Sequence, residues 1–395
     1  MRNVYVAALP IVMASVSAMM AIDLYLPAIP SLPGALNGTA AEAQYSVGAF
    51  LATFALGQLV FGVLGDRTDR RKVLLLALAG LVVTSLLCAM ATTMWQLIGL
   101  RLLQGFAASA GAALGPPILR ELAGGMAVIR LMGVVGSIQS LVPAFAPAIG
   151  AWMLKYVGWE ACFVVVAVLA AITMTMFSFM PPPKRNERHR PLGHPLAGYG
   201  ALLRSKQYLG YTLSHAFAMG GLITFIMSAP YVITAHTSGS VDDFAVMMIV
   251  LVGCFAVSAN TAAPIVRRIG ADATIVAGSV LQAIGGLAFL TVCATMSTPT
   301  VTAITLSMMP INFGLGLRGG AGFARVMDLM PQHTGSASAL LIFLSAGIGS
   351  IGTPLVAPFL SLGALSLAAV VAVQVIVSLA ILPLAIRTLS NPVTS

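Results

Sequence analysis

Three charged side chains interrupt segments that are otherwise almost entirely apolar. Asp23 lies in the stretch AIDLYLPAIP, Arg101 in IGLRLLQGFAASAGAALGPP and Arg318 in GLGLRGGAGFARV. An ionised side chain at the centre of a membrane-spanning helix costs about 2.5 to 3.5 kcal/mol on insertion scales, so each needs a partner or a water-filled cavity. A carboxylate in such a place can take up a proton or bind a cation, and a guanidinium can bind an anion or favour the ionised carboxylate. These residues predict ion-binding and proton-transfer chemistry.

No other grouping of residues predicts a metal site or a catalytic centre. The five histidines are scattered and show no HExxH spacing. The four cysteines lie in apolar segments without a CxxC pair, so we interpret them as small apolar residues and not as disulfides or ligands. We predict no metal and no cofactor, and we disfavour a membrane enzyme or a receptor because the loops are too short for a ligand-binding domain.

The composition predicts that these charges lie inside a membrane. Of the 395 residues, 59% are hydrophobic and 8% charged, against about a quarter charged in soluble domains. A helix needs roughly 20 apolar residues to cross a bilayer, and no segment alternates like a membrane β-strand. We therefore predict an all-α integral membrane protein with twelve transmembrane helices in two six-helix halves. The predicted spans are residues 4–28, 44–64, 73–92, 94–117, 131–153, 159–180, 208–235, 244–266, 273–296, 300–324, 334–360 and 364–386.

A polar stretch divides the twelve spans into two sets of six. Residues 181–207 include six basic residues and five prolines, a composition that cannot bury a core. We predict an N-terminal half at residues 1–180, a cytoplasmic linker at 181–207 and a C-terminal half at 208–395. GDRTDRR at 65–71 corresponds in place to VRRIGAD at 266–272, which indicates a parallel repeat of the kind found in one large transporter fold.

Basic residues predict the orientation, because Lys and Arg accumulate in cytoplasmic loops. With both termini cytoplasmic, only Lys155 lies on the outer side, and the net charge of +9 follows from topology without a nucleic-acid partner. A cleaved signal peptide is the alternative for the first segment, but its apolar run continues past 20 residues and has a counterpart in the repeat. The cytoplasmic set holds 17 of the 20 basic residues: Arg2, Arg67, Arg70, Arg71, Lys72, Arg120, Arg130, Lys184, Arg185, Arg188, Arg190, Arg204, Lys206, Arg267, Arg268, Arg325 and Arg387.

The turn between the second and third spans carries a family resemblance. GVLGDRTDRRKVL resembles the loop motif of the major facilitator superfamily, in which a glycine, an acid and a basic cluster lie between helices 2 and 3. We expect the motif to close the cytoplasmic side as a salt-bridge latch; the alternative is a plain basic turn. Asp69 stands where the family usually has glycine, and Asp tolerates a left-handed backbone better than most residues. The predicted gate residues are Asp66, Arg67, Arg70 and Arg71.

Two further helices strengthen the resemblance. Arg101, Gln104 and Gly105 resemble the superfamily's helix 4 motif. SLVPAFAPAIGAWM is similar to the helix 5 motif of exporters, although any packed membrane helix has small residues and prolines. DLYLPAIP, SAP and TGSASAL resemble the bicyclomycin and chloramphenicol resistance branch of the drug:proton antiporters. The resemblance covers the whole chain and implies a monomeric transporter of the bacterial inner membrane that exchanges small molecules for protons by alternating access.

Asp23 and Arg101 lie at matching predicted depths. Asp23 is about six residues from the outer end of helix 1 and Arg101 about seven from the outer end of helix 4, so both are roughly 10 Å below the boundary. We hypothesise that they face one cavity and exchange partners, Asp23 taking a proton from outside and releasing it when a cytoplasmic substrate enters. The alternative is a permanent Asp23–Arg101 ion pair.

Arg318 allows two interpretations. It is either a cytoplasmic-edge anchor whose side chain snorkels to the interface, or a cation in the cavity, which would favour uncharged or anionic substrates. His215 could titrate near neutral pH, but a packed histidine is the simpler interpretation. The candidate substrate-binding residues are Asp23, Phe54, Gln58, Phe145, Phe225, Tyr231, Phe313 and Arg318.

Two functional classes fit these patterns. The favoured one is a proton-coupled exporter of drug-like molecules. The other is an exporter of one endogenous metabolite or siderophore, or a nutrient permease on the same fold.

Overall fold

The computed structural model describes residues 2–122, 126–180, 197–330 and 334–386. Within these ranges the chain consists of helices joined by short turns and has no β-strand, as predicted. Two 3-10 segments, Leu26–Ser31 and Ala357–Leu362, accompany the α-helices. The α-helices are α1 (Arg2–Asp23), α2 (Leu32–Ala35), α3 (Ala40–Arg67), α4 (Arg70–Ala89), α5 (Met94–Leu122), α6 (Met126–Tyr156), α7 (Glu160–Ser178), α8 (Ala197–Arg204), α9 (Lys206–His236), α10 (Val241–Ile269), α11 (Ala271–Thr295), α12 (Val301–Leu329), α13 (Thr334–Val356) and α14 (Ala364–Ile386).

The lengths of the helices suit a membrane-spanning bundle. Among the described residues, ten helical segments are long and apolar enough to cross a bilayer. Of the other two predicted spans, 131–153 lies within α6 and 300–324 lies within α12 except for its N-cap Thr300; the two helices have 31 and 29 residues. At 1.5 Å per residue each is about 45 Å long, more than the hydrocarbon core requires. The all-α multi-pass membrane fold is confirmed.

The first span differs from the single helix predicted for residues 4–28. Its α-helix ends at Asp23 and is followed by the 3-10 segment Leu26–Ser31 and by α2. Prolines at 27, 30 and 33 explain the change, because each lacks the backbone N–H that an α-helix uses, and their spacing of three matches the 3-10 period. Asp23 therefore lies at the end of an α-helix, where the backbone changes conformation.

The chain divides into two compact units, residues 1–193 and 194–395. Residues 181–196 of the predicted linker lie outside the described residues. The composition of that stretch predicted that none of its residues would be buried, and the structure differs. Residues 197–204 form α8, and its Leu202 side chain is fully buried in a cluster with Tyr208 and Val326 of the C-terminal unit.

Glycines set the closest helix contacts in the N-terminal unit. A Cβ atom added at Gly105 of α5 would clash with the carbonyl oxygen of Phe50 on α3. One added at Gly150 of α6 would clash with the carbonyl oxygen of Leu24, just after α1. The helix 5 motif therefore packs α6 against the segment that follows Asp23, as small residues in membrane helices allow.

We expect Gly150→Ala to destabilise the protein by about 1 to 3 kcal/mol, because its Cβ would displace backbone and not a flexible side chain. Thermal unfolding in detergent measures the change. Gly99→Ala in α5 is the matched control, since no atom lies within 4 Å of its added Cβ. That control should be neutral or slightly stabilising, and equal melting temperatures for the two variants would contradict the packing argument.

Candidate functional site

Arg101 forms the polar centre of the N-terminal unit. The side chain is fully buried, and its Nη1 atom donates hydrogen bonds to the Ala21 carbonyl at 2.9 Å and to Gln104 Oε1 at 2.7 Å. Gln104 Nε2 in turn donates to Ser85 Oγ at 2.8 Å. Carbonyl groups in the last turn of a helix lack intrahelical partners, so Arg101 satisfies one of them and fastens α5 to the end of α1.

Three aromatic rings surround the Arg101 guanidinium. Its central carbon lies 4.1 Å from the Phe50 ring centroid, 4.6 Å from that of Tyr25 and 5.8 Å from that of Phe163. We call these three rings the aromatic cage. The Tyr25 hydroxyl is hydrogen-bonded to Ser46 Oγ at 2.7 Å, which fixes that ring. Ring faces attract cations, so the cage offsets part of the cost of burying the charge.

Asp23 is buried, with 7% of its surface exposed. Across the part of the chain that the structure describes, no hydrogen bond or ion pair engages its carboxylate, whereas Arg101 bonds to the carbonyl two residues before it. The interpretation of a permanent Asp23–Arg101 ion pair is therefore wrong for this conformation. The structure leaves the Asp23 carboxylate unpaired, and other groups hold the buried Arg101 guanidinium.

Two of the substrate-binding candidates lie on one face of α3. Phe50, Phe54 and Gln58 are spaced by four residues and so share a side of the helix. The Phe54 ring lies nearly parallel to Phe50, with centroids 5.9 Å apart, and Gln58 is buried. Phe50 was missed at the sequence level, although its position four residues before Phe54 is the signal that could have found it. Phe145 of α6 is instead 54% exposed.

Arg318 is the polar centre of the C-terminal unit. It is 1% exposed, and its Nη1 donates to Ser378 Oγ at 2.7 Å and to Gln282 Oε1 at 3.2 Å, while Nη2 donates to Ser214 Oγ at 2.7 Å. The interpretation as a snorkelling anchor at the membrane edge is wrong, because the guanidinium is enclosed by side chains from α9, α11 and α14. These partners are all neutral.

The other candidates of the C-terminal unit are not gathered around Arg318. Phe225 is 1% exposed and packs edge-on against Phe289, with centroids 5.5 Å apart, so in this conformation it is a packing residue. Tyr231 is half-buried beside His236, with centroids 6.0 Å apart. Phe313 is also half-buried, on α12.

In the predicted gate, arginines fasten helix ends. Arg70 Nε donates to the Gly65 carbonyl at 2.9 Å, and Arg71 Nη2 donates to the Ser178 carbonyl at the end of α7 at 2.6 Å. Arg67 is exposed. The Asp66 side chain lies outside the described residues, so its part in the latch stays a prediction.

Asp69 corrects one argument from the sequence. Its backbone is extended, with φ −74° and ψ 104°, and not left-handed. It is the N-cap of α4 and accepts a hydrogen bond from the Arg71 backbone N–H at 3.0 Å. Asp suits this position because its carboxylate satisfies an N–H group that the helix leaves without a partner.

We expect Asp69→Ala to lower stability by about 1 kcal/mol, because the cap is lost, whereas Asp69→Gly should cost only a few tenths of a kcal/mol. Chemical or thermal unfolding of the two variants measures the difference. Asp69→Asn keeps a capping oxygen and is the control; a loss as large as that of Asp69→Ala would count against the capping role.

The corresponding turn of the C-terminal unit has an acid–arginine latch that we did not predict. Asp272 at the start of α11 accepts from the Tyr211 hydroxyl at 2.8 Å and from Arg325 Nη2 at 3.2 Å. In the sequence, Asp272 lies in VRRIGAD, which corresponds in place to GDRTDRR in the other half, and this correspondence could have predicted the latch.

The sequence profile of the Major Facilitator Superfamily matches residues 11–354. The chain belongs to this superfamily. It is 28% identical over 346 residues to the uncharacterized MFS-type transporter YdgK of Bacillus subtilis, covering 85% of this chain and 84% of that protein. It is 25% identical over 348 residues to a bicyclomycin resistance protein homolog of Haemophilus influenzae, covering 85% of each. It is 28% identical over 276 residues to a chloramphenicol resistance protein of Pseudomonas aeruginosa, covering 68% of this chain and 65% of that protein.

Solved structures show the same superfamily fold. The nucleoside transporter NupG superposes with a TM-score of 0.74 at 14% identity, covering 98% of this chain and all of that one. Members of the superfamily are transporters of small molecules, so the expectations of a transporter and of a protein that is not an enzyme are confirmed.

Proposed function

We propose that this superfamily member is a proton-coupled antiporter that exports drug-like small molecules, with Asp23 as the coupling carboxylate. The observation that carries the proposal is the burial of Asp23 without a partner, while Arg101 bonds to the backbone two residues before it and not to its carboxylate. The names of two relatives, which refer to bicyclomycin and chloramphenicol resistance, support export of drugs.

Competition for one carboxylate supplies the coupling. Burying an ionised carboxylate without a charged or hydrogen-bonding partner is unfavourable, so Asp23 favours either a proton or a substrate group that can replace it. Arg101 bonds to the Ala21 carbonyl and not to Asp23, so the carboxylate is available to exchange a proton for a substrate group. Exchange then requires that the proton and the substrate exclude each other, and that the protein changes its open side only when one of them is bound.

The remaining site residues are proposed in two groups. Phe54 and Gln58 would bind substrate beside Phe50, and Phe145, which is already exposed, would contribute as well. Phe225, Tyr231, Phe313 and Arg318 would contribute where a conformational change exposes them. Asp66, Arg67, Arg70 and Arg71 would close the cytoplasmic side. The protein would act as a monomer in the bacterial inner membrane with both termini cytoplasmic.

Gene deletion and plasmid expression in an efflux-deficient host test the drug-export function. We expect expression to raise resistance to several chemically unrelated drugs, including chloramphenicol and bicyclomycin, because an apolar site with few polar groups discriminates weakly. Profiling of the medium is run in parallel. One metabolite that stops being secreted on deletion, with no change in drug susceptibility, would instead assign a dedicated exporter.

A further inference from the structure

The Arg318 guanidinium is buried, and no acid contacts it within the ranges that the structure describes. Its three bonded partners, Ser214, Gln282 and Ser378, are neutral. The acids of the C-terminal unit all lie at helix ends: Asp242 and Asp243 begin α10, Asp272 begins α11, and Asp328 is in the last turn of α12. Asp328 is ten residues from Arg318 on the same helix, or about 15 Å along its axis.

Two donor atoms at this centre have no partner. Arg318 Nε and Gln282 Nε2 are fully buried without a hydrogen bond among the described residues. Gln282 Oε1 accepts from Arg318, so the neighbouring Nε2 is presented beside the guanidinium. His215, next in sequence to Ser214, also has an unpaired buried Nδ1. Buried donors are normally satisfied, and these are grouped around a positive charge.

Arg101 is the buried arginine of the N-terminal unit, and its charge has different surroundings. Its Nε is also unpaired, but the guanidinium faces the aromatic cage. Within the described residues, neither an aromatic ring nor a carboxylate contacts the Arg318 guanidinium. The charge of Arg318 is therefore the less compensated of the two.

We propose that Arg318 and the Gln282 amide form a binding site for a monovalent anion, either free chloride or the carboxylate group of an organic ligand. The anion would neutralise the guanidinium and would accept a hydrogen bond from at least one of the two unpaired donors, Arg318 Nε and Gln282 Nε2. A charge-assisted bond of this kind is stronger than one between neutral groups. The site belongs to the C-terminal unit alone and does not depend on proton coupling at Asp23.

Thermal unfolding of the purified protein in detergent tests the site. Sodium chloride replaces sodium methanesulfonate at constant ionic strength, with no transported compound present. We expect a saturable rise in melting temperature of about 2 to 4 °C, because an anion that binds only the folded state stabilises it. A melting temperature that does not change with chloride or with the organic anion described below would overturn the proposal.

Isosteric variants separate this site from general salt effects. Gln282→Glu places a carboxylate against Arg318 and removes the unpaired amide donor, so we expect a higher melting temperature without chloride and no further response to it. Gln104→Glu is the matched control, because it places a carboxylate against Arg101 and should leave the chloride response intact. Loss of the response in both variants, or in neither, would contradict the assignment to Arg318.

A second titration distinguishes the source of the anion. Sodium benzoate replaces sodium methanesulfonate in the same assay. A response to chloride alone assigns the site to the free ion, and a response to benzoate that Gln282→Glu abolishes assigns it to carboxylate-bearing ligands. Since the readout is stability and not transport, failure of this proposal leaves drug export untouched, and the reverse also holds.

Discussion

Asp23→Asn should abolish uphill export while the protein stays folded. Asparagine has the shape of aspartate but cannot carry the exchanged proton, so the link between the proton gradient and the substrate is lost. A coupling free energy of about 1 to 3 kcal/mol corresponds to an effect of about 5- to 150-fold. We therefore expect accumulation of the transported compound to fall at least about 5-fold. Reconstituted vesicles with an imposed pH gradient measure it.

One further measurement and one control variant make the Asp23 result specific. Downhill equilibration of the same compound should persist in Asp23→Asn, because substrate can still cross without proton exchange. Glu42→Gln is the matched control, since Glu42 forms a capping box at the start of α3 and glutamine serves equally well there. Uphill export in Asp23→Asn at the rate of Glu42→Gln would remove Asp23 from the mechanism.

Of the substitutions proposed for the N-terminal unit, Arg101→Ala should lower the free energy of unfolding most. It leaves the Ala21 carbonyl without its Arg101 donor and Gln104 Oε1 with only the Cys88 thiol at 3.9 Å, and it opens a space within the aromatic cage. Leaving a buried polar group unpaired costs about 1 to 3 kcal/mol, so we expect a total loss of about 3 to 5 kcal/mol once the lost packing is included. Thermal unfolding in detergent measures it.

Arg101→Lys tests the same contacts without removing the charge. Lysine lacks the planar fork that bonds to two acceptors while stacking on rings, so we expect an intermediate loss of stability. Arg204→Ala is the control, because this exposed arginine on α8 should change stability by less than about 0.5 kcal/mol. If Arg101→Lys matched the wild type, the geometry described around Arg101 would not matter for stability.

The helices were predicted well from the sequence because a bilayer strongly constrains which residues a span can contain. Each span needs a long apolar run, and such runs are visible in the residues themselves. The break after Asp23 was missed because apolarity alone does not report backbone conformation. The prolines at 27, 30 and 33 held that information, since they exclude a continuous α-helix.

Partners of the charged residues were harder to predict than the charges. Asp23 and Arg101 were picked as exceptional from the sequence, and the structure buries both side chains. That the arginine bonds to a carbonyl and to rings, and not to the carboxylate, depends on side-chain directions that spacing does not fix. Arg318 shows the same limit, because its distance from a helix end could not distinguish an interfacial from an enclosed side chain.

Substrate-induced proton release tests the central claim most directly. A transported compound is added to the detergent-solubilised protein in weakly buffered solution, and the pH is recorded. If substrate and proton compete for Asp23, the wild type should release protons in proportion to the compound bound, and Asp23→Asn should bind without releasing them. Equal release from both proteins, or none from the wild type at saturating compound, would contradict the account.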